Sequence, residues 1–356
     1  AKFEYALTVA KHALARSTGA IAARIRTSRN RGIPVVVFNN LSWKRTSVVQ
    51  FTAMFPVGTQ RKGVAVHDAG GRPLPTQILS VGRHPDGSVR SIELLFTAAS
   101  VPPVGYATYY VRPSPRAALA DTTSAPVGIL QNKFYRVFLG EGGIRQIIDT
   151  ELKKEILSTE KFLGGELFTM QSIGEDAGEW SEPRQPTMEG FEKVSSYRPG
   201  WRLAESGPVR QVVEMKQEIN HATVLQRIIL YSELKQVDFE TSLLKWDGTK
   251  YREFRLAFPL KMERGQVAYE VPFGTVEVGN DEMKGAAGER YTTEVSAVRP
   301  RSIQNWISAS DNDIGVTINS SVAVWDYRDP TDQPINSPML QPVLLASRRS
   351  CHGAGP

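Results

Sequence analysis

The sequence predicts a mainly β fold, with a small β-sandwich and a large antiparallel β-domain that follow one long α-helix. Apolar and polar residues alternate with a period of two through most of the chain, and turn residues recur about every ten positions. A helical period is confined to the first two dozen residues. At 356 residues the chain should hold more than one domain, because single cores rarely grow beyond about 250–300 residues.

The first element is a predicted amphipathic helix over residues 3–26. Its apolar residues recur at spacings of three and four, which places them on one stripe: Phe3, Leu7, Ala10, Leu14, Ile21 and Ile25. A lone helix cannot bury such a stripe. We therefore expect residues 1–31 to be the terminal helix of a helical bundle.

Short strands and turns follow in residues 32–112. Pro34 opens the strand PVVVFNNLSW, and later apolar runs alternate with Gly- and Pro-rich turns such as residues 70–73 and 85–87. This spacing is typical of a small β-sandwich. Residues 113–126 are polar and contain proline, as linkers do.

Residues 127–356 are predicted to form the large β-domain, which opens with a long hairpin at 132–157. Val137 and Leu139 fall on one face of its first arm, and Gly142 and Gly143 supply the turn. Further alternating segments continue to about residue 319. Two antiparallel sheets stacked face to face are the expected arrangement.

Two polar clusters are candidate substrate-proximal sites. The first lies in the long polar segment 174–199, where four carboxylates surround Trp180: Glu175, Asp176, Glu179 and Glu182. Asp176, Glu179, Trp180 and Glu182 are its candidate site residues. Carboxylates for hydroxyl groups and an aromatic face for a ring suit a sugar site. The second cluster contains Asp247, Tyr251, Arg252 and Glu253, in a connection between strands, and Asp247 and Arg252 are its candidate site residues. Solvated loops without a ligand are the alternative interpretation of both.

No catalytic or metal-ligating set is predicted within the chain. The five histidines are far apart in sequence, and no pair stands at metal-ligand spacing: His12, His67, His84, His221 and His352. Cys351 is the single cysteine, which excludes an internal disulfide framework and a multi-cysteine metal site. Asp311, Asn312 and Asp313 fit a turn better than a calcium loop.

The basic charge is concentrated at the start of the chain. Residues 1–67 contain eleven Lys or Arg and one acid, Glu4, whereas the whole chain carries +6. These residues are divided among a helix, a linker and strand ends, rather than interleaved with aromatic residues on one surface. We expect no nucleic-acid partner, and a docking face for an acidic partner domain instead.

The composition and the start of the sequence also give expectations about membrane insertion and cellular location. No run of about 18 apolar residues is present, so no membrane span is expected. The chain begins without Met or a signal-peptide pattern and is expected to be an internal piece of a longer protein. A cytoplasmic and a periplasmic location both remain open.

Six stretches occur in an order that carries a family resemblance: IPVVVFNNLSWKRTSVV, NKFYRVFLGEGGIRQIIDTELKKEIL, WRLAESGPVR, VDFETSLLKWDGTKYREFRLAFPL, YEVPFGTVEV and SIQNWISASDNDIGVTI. Together they resemble the C-terminal half of glycoside hydrolase family 38, the α-mannosidases. The resemblance covers nearly the whole chain from about Ile33, and the preceding helix resembles the end of the family's middle helical bundle.

The resemblance implies the C-terminal β-domains of a retaining α-mannosidase, the largest similar to the galactose mutarotase fold. It implies that zinc and the nucleophile belong to an N-terminal catalytic domain of the family, and no position here matches their ligands. The implied partners are that domain and mannose-containing oligosaccharides or glycans, with a homo-oligomer as the common default. By itself this chain is expected to be inactive.

Two other function classes stay open. One is a non-catalytic carbohydrate-binding or assembly module, which measurable sugar affinity would favour. The other is a mutarotase-like epimerase, which would need several acid/base groups converging in a cleft. His221 is the only histidine between His84 and His352, so the large domain offers few such groups.

Overall fold

The computed structural model describes residues 2–60, 63–114, 119–171, 186–282 and 300–347. The chain forms two compact units, each assembled from separate segments. The first contains Ala1–Thr123, Glu205–Gln211 and Tyr231–Gln236, and the second contains Ser124–Ala204, Val212–Leu230 and Val237–Pro356. The mainly β class predicted from the sequence is confirmed, with one α-helix and several antiparallel sheets in the described ranges.

Helix α1 spans Lys2–Ala22 and ends four residues before the predicted boundary. None of its residues is buried; Phe3 is 93% exposed and Leu14 is 63% exposed. The apolar stripe predicted from the sequence is therefore present on the helix, but the described residues do not cover it. A short 3-10 helix, Arg29–Arg31, follows.

Six strands of the first unit form two three-stranded antiparallel sheets. They are β1 (Ile33–Asn39), β2 (Arg45–Met54), β3 (Val64–His67), β4 (Thr76–Arg83), β5 (Val89–Val101) and β6 (Gly105–Pro113). The sheet orders are β1-β6-β3 and β2-β5-β4. One apolar core includes residues of all six strands or packs against them, among them Val66, Ile92 and Phe96, which are fully buried. This arrangement is the small sandwich that the alternating pattern predicts.

The first unit also contains residues distant in sequence. Gln77 in β4 is fully buried, and its Oε1 accepts hydrogen bonds from the backbone N–H groups of Val209 (2.9 Å) and Arg210 (3.0 Å). Its Nε2 donates to Glu205 Oε1 at 2.5 Å. A Cβ at Gly207 would lie 2.4 Å from the Gln77 side chain. Glycine is therefore required there for the close approach.

The remaining strands are β7 (Ile129–Gln131), β8 (Tyr135–Gly140), β9 (Gly143–Asp149), β10 (Lys154–Glu155), β11 (Glu166–Gln171), β12 (Glu192–Lys193), β13 (Arg202–Ser206), β14 (Arg210–Ile219), β15 (Ala222–Tyr231), β16 (Val237–Leu244), β17 (Arg252–Pro259), β18 (Gln266–Val271), β19 (Gly274–Glu277), β20 (Arg301–Ser302), β21 (Trp306–Ser310), β22 (Gly315–Asn319), β23 (Val324–Asp326) and β24 (Met339–Ala346). A short 3-10 helix covers Val194–Tyr197.

These strands form four sheets rather than the two that the sequence predicts. Their orders are β10-β9-β8-β7, β12-β11-β17-β24-β23-β20, β13-β14-β15-β16 and β19-β18-β21-β22. Residues of all four sheets contribute to one large apolar core, or pack against it, including Val137, Val224 and Ile307. The alternation identifies which residues face the core, but it does not determine where one sheet ends and the next begins.

The hairpin β8–β9 is confirmed. Its strands pair from Tyr135 with Asp149 to Gly140 with Gly143, and Val137 and Leu139 are buried as the alternation predicts. Gly142 has a φ of +90° in the turn. A Cβ there would lie 2.9 Å from Val194 Cγ1 and 3.0 Å from the Ser195 nitrogen. The turn therefore needs glycine for its backbone conformation and for its packing.

Substitution of Gly142 by alanine should separate these two requirements when it is compared with the same change at Gly248. Gly248 has a φ of +80° and open space around its Cβ position, so Gly248→Ala should cost only the left-handed backbone, about 1–2 kcal/mol. Gly142→Ala should cost about 1–3 kcal/mol more, since the added methyl overpacks the site. Urea unfolding measures both, and equal losses would contradict the packing argument.

Candidate functional site

Asp247 lies between β16 and β17, in a turn held by its own carboxylate. Its Oδ1 accepts from the Thr249 N–H at 2.8 Å and from the Thr249 hydroxyl, and its Oδ2 lies 2.8 Å from His221 Nδ1. The Thr249 hydroxyl bond and the His221 contact lower the pKa of Asp247 from 3.8 to about 2. The carboxylate is half exposed and ionised at neutral pH.

Arg252, the first residue of β17, is only 6% exposed. Its Nη2 donates to the Gly190 carbonyl at 2.8 Å and its Nη1 to the Glu189 carbonyl at 3.4 Å. Its Nε is buried and has no hydrogen-bond partner among the described residues. Burial lowers the pKa of the guanidinium, and the charges of Glu192 and Asp247 oppose this effect.

The described ends of the long polar segment meet at Arg252. Gln171, the last residue of β11, pairs in register with Arg252. Its N–H donates to the Glu189 carbonyl at 2.9 Å, and its carbonyl accepts from the Thr187 N–H at 3.1 Å. The four predicted site residues of this segment lie outside the described residues: Asp176, Glu179, Trp180 and Glu182.

Ser347 connects the segments that carry the two described site residues. Its hydroxyl donates to the Thr249 carbonyl at 2.8 Å, and its N–H donates to the Arg252 carbonyl at 2.8 Å. The turn of Asp247 and the first residue of β17 are thus fixed to the same point. The structure brings these two residues into one polar region, in which Arg252 is largely covered and Asp247 is not.

A buried ionic network next to this region was not predicted. In β17, Arg255 is 1% exposed, with its Nη2 2.7 Å from Glu253 Oε2 and its Nη1 3.0 Å from Asp326 Oδ2. Gln341 Oε1 accepts from Arg255 Nη1 at 3.3 Å. Glu253, which belongs to the predicted second cluster, lies on the other face of the strand from Arg252. The sequence signal for this network is the Glu-x-Arg spacing of Glu253 and Arg255, followed by apolar residues in the same strand.

The described histidines do not converge on a metal site. His84 Nε2 lies 3.0 Å from the Phe55 carbonyl, and His221 contacts Asp247 and Thr249. Within the described ranges, no group of three His, Cys, Asp or Glu side chains could hold a metal ion. These residues therefore do not fit a zinc site. Asp311 forms the expected turn, with Oδ1 accepting from the N–H groups of Asp313 and Ile314.

Two open clefts lie in the second unit. The first has a volume of about 590 Å³ and is bounded by the β8–β9 turn, residues 159–163 and residues 193–201. The second has a volume of about 1020 Å³ and lies beside Asp311. In the second cleft, charges pair with each other: Lys154 lies 2.7 Å from Asp313, and Lys261 lies 2.5 Å from Glu155. Among the described residues, no helix is long and apolar enough to cross a membrane.

The chain is similar to known proteins of one family. Residues 130–323 match the family described as glycosyl hydrolases family 38 C-terminal domain. An α-mannosidase of Arabidopsis thaliana is 29% identical over 140 residues, which cover 35% of this chain and 13% of that protein.

Two solved structures from Enterococcus faecalis share the fold. One, an α-mannosidase, has a TM-score of 0.71 at 15% identity, and the match covers 99% of this chain and 44% of that chain. The other, a protein in glycosyl hydrolase family 38, has a TM-score of 0.66 at 13% identity, covering 91% and 42%. The chain therefore spans less than half the length of these relatives.

The largest cause of the lowered pKa of Asp247 is the hydrogen bond from the Thr249 hydroxyl, which a mutation can remove. Thr249→Val removes the hydroxyl donor, so we expect the pKa of Asp247 to rise from about 2 towards 3.8. A carboxyl-detected NMR titration measures it, with Asp311 as the control, because backbone N–H groups hold the pKa of Asp311 low. The stabilising contribution of Asp247 is complete above pH 3.8 and is lost as the pH falls through about 2. An unchanged Asp247 pKa in Thr249→Val would contradict this assignment.

Removal of the buried Arg255 guanidinium should lower the free energy of unfolding. Arg255→Leu leaves Glu253 and Asp326 as uncompensated buried charges, and we expect a loss of about 3–5 kcal/mol in the free energy of unfolding. Arg227→Leu is the control, because Arg227 is 46% exposed and pairs with Glu214 on the surface, which is worth about 0–1 kcal/mol. If Arg255→Leu does not fold, Arg255→Lys keeps the charge and should give an intermediate loss. Similar stabilities for Arg255→Leu and Arg227→Leu would show that the network is unimportant.

Proposed function

Because the chain belongs to glycosyl hydrolase family 38, we propose that it supplies the C-terminal β-domains of a retaining α-mannosidase. The substrates would be mannose-containing oligosaccharides or glycans, and the bond cleaved would be a terminal α-mannosidic bond. Catalysis would depend on a zinc site and a nucleophile supplied by an N-terminal catalytic domain of the family. The observation that carries this proposal is the match of residues 130–323 to the C-terminal domain of the family.

The described carboxylates near the candidate site support the proposal that catalytic groups are supplied by an N-terminal domain. A retaining glycosidase uses two carboxyl groups about 5–5.5 Å apart, one as nucleophile and one as acid, and the acid needs a raised pKa. Asp247 has a lowered pKa and is bound to Thr249 and His221. Glu253 and Asp326 are buried against Arg255 and cannot reach a sugar. None of the three is suited to the role of the acid.

Within this proposal, Asp247 and Arg252 have different roles. Arg252 acts as a positioning residue, because its two Nη atoms hold the carbonyl groups of Glu189 and Gly190 at the base of the long polar segment. Asp247 is half exposed and ionised, so it can accept a hydrogen bond from a sugar hydroxyl. Together they would support the rim of a substrate site, and a homo-oligomer remains the expected assembly.

Hydrolysis of an aryl α-mannoside tests the proposal. We expect this chain, with or without added zinc, to show no turnover above the uncatalysed rate and to bind zinc substoichiometrically by elemental analysis. A full-length family 38 α-mannosidase, assayed beside it, is the positive control. Addition of an N-terminal catalytic domain of the family to this chain should give activity.

Turnover by the chain alone would overturn the proposed division. Asp247→Asn would then identify the source of that activity. Loss of turnover in this variant would make Asp247 a catalytic residue, and retained turnover would direct the search to residues outside the described ranges.

A further inference from the structure

The first cleft of the second unit combines a fixed floor with charged groups at its mouth. Its floor includes Leu139, Leu163 and Trp201. The Trp201 indole N–H donates to the Gly140 carbonyl at 3.0 Å, which fixes the side chain against the β8–β9 turn. The volume of about 590 Å³ lies within the range of about 300–1,000 Å³ that is usual for small-molecule sites.

The walls of this cleft are held by a buried carboxylate. Glu166 is fully buried, and it accepts from the N–H of Leu163 at 2.8 Å and from the N–H of Ser195 at 3.0 Å. A Cβ at Gly143 would lie 2.6 Å from the Leu163 Cβ, so the turn packs directly on the second wall. The three chain segments around the cleft are thus joined by hydrogen bonds and close packing, as a preformed site requires.

Four charged groups around the cleft are available to a ligand. Glu141 is 62% exposed, and among the described residues its ion-pair contact is with Arg198, at 3.8 Å. Arg145 and Glu160 are exposed, and no other described side chain pairs with theirs. The Lys193 ammonium donates to the Lys161 carbonyl at 2.5 Å, which leaves two of its three donors. By contrast, the Lys161 ammonium is already bound to Asp329, Thr331 and Gln333.

This balance of charges indicates a class of ligand. Two carboxylates accept hydrogen bonds and two cations donate them, so the mouth of the cleft suits a neutral molecule with many hydroxyl groups. A strongly anionic ligand would be repelled by Glu141 and Glu160, and a strongly cationic one by Arg145 and Lys193. From the geometry and this balance, we propose that the cleft binds a neutral saccharide of one or two rings.

The second cleft lacks these properties. Its two lysines, Lys154 and Lys261, are paired with Asp313 and Glu155, so a ligand would have to displace ion pairs to reach these groups. Saccharide binding at the first cleft goes beyond the proposed function and does not depend on it, since binding needs no catalytic group. A failure to bind and a failure to hydrolyse are therefore separate results.

The sharpest test is a variant in which a large side chain fills the first cleft. Gly200 lines the cleft and has open space around its Cβ position, so Gly200→Trp should fill the cleft without a clash in the backbone. Gly274→Trp is the matched control, because Gly274 is exposed at the start of β19 and its Cβ would touch only Val271, at 4.0 Å. Binding of methyl α-mannoside and of mannobiose is measured by calorimetry or by ligand-observed NMR.

We expect saturable sugar binding by the chain and by Gly274→Trp, and none by Gly200→Trp. Glu160→Ala should weaken binding about tenfold, as expected for the loss of a hydrogen bond to a charged group, whereas Glu263→Ala in the second cleft should not. Thermal unfolding verifies that each variant is folded. No sugar binding by the chain, equal binding by Gly200→Trp, or binding of inorganic phosphate in place of sugar would overturn the proposal.

Discussion

Strand β17 of the second unit is buried on both faces, and its charged side chains must be neutralised within the protein. All eight residues of β17 are buried, so its polar side chains must find partners within the protein. Arg255 lies between Glu253 in the same strand and Asp326 in β23. Because β11, β24 and β23 belong to the same sheet as β17, correct assembly of this sheet is also what completes the ionic network.

Strand β17 also positions the polar region predicted from the sequence, which contains Asp247 and Arg252. Alternation along β17 places Arg252 on the opposite face from Glu253 and Arg255. At that position Arg252 pairs in register with Gln171 and holds the carbonyl groups of Glu189 and Gly190. One strand thus carries a structural ion pair on one face and, on the other, the residue that fixes the base of the long polar segment.

Local pattern was sufficient to predict the β class, the hairpin β8–β9 and the core-facing residues of β17. In the hairpin, the period of two reports burial directly, as it does for Val137 and Leu139. In β17, where both faces are buried, it identifies the face that packs in the large core, with Phe254, Leu256 and Phe258. The division into four sheets and the partners of Arg255 were not predictable, because both depend on contacts between residues distant in sequence. Gln77, bonded to Val209 and Arg210, is a further example. Asp247 and Arg252 were selected as one cluster, but only the structure distinguishes the exposed carboxylate from the covered guanidinium.

Family membership and the site geometry lead to complementary conclusions about chemistry. A carboxylate that two neighbours hold ionised, as Thr249 and His221 hold Asp247, remains a hydrogen-bond acceptor at neutral pH and loses any ability to act as an acid there. Residues of this kind suit the binding of sugar hydroxyl groups. The cleft lined by Glu141, Glu160 and Lys193 likewise offers charged groups for hydrogen bonds. Under the proposed function, the described part of this chain would hold the saccharide, and the proton transfers of hydrolysis would require a carboxylic acid with a raised pKa.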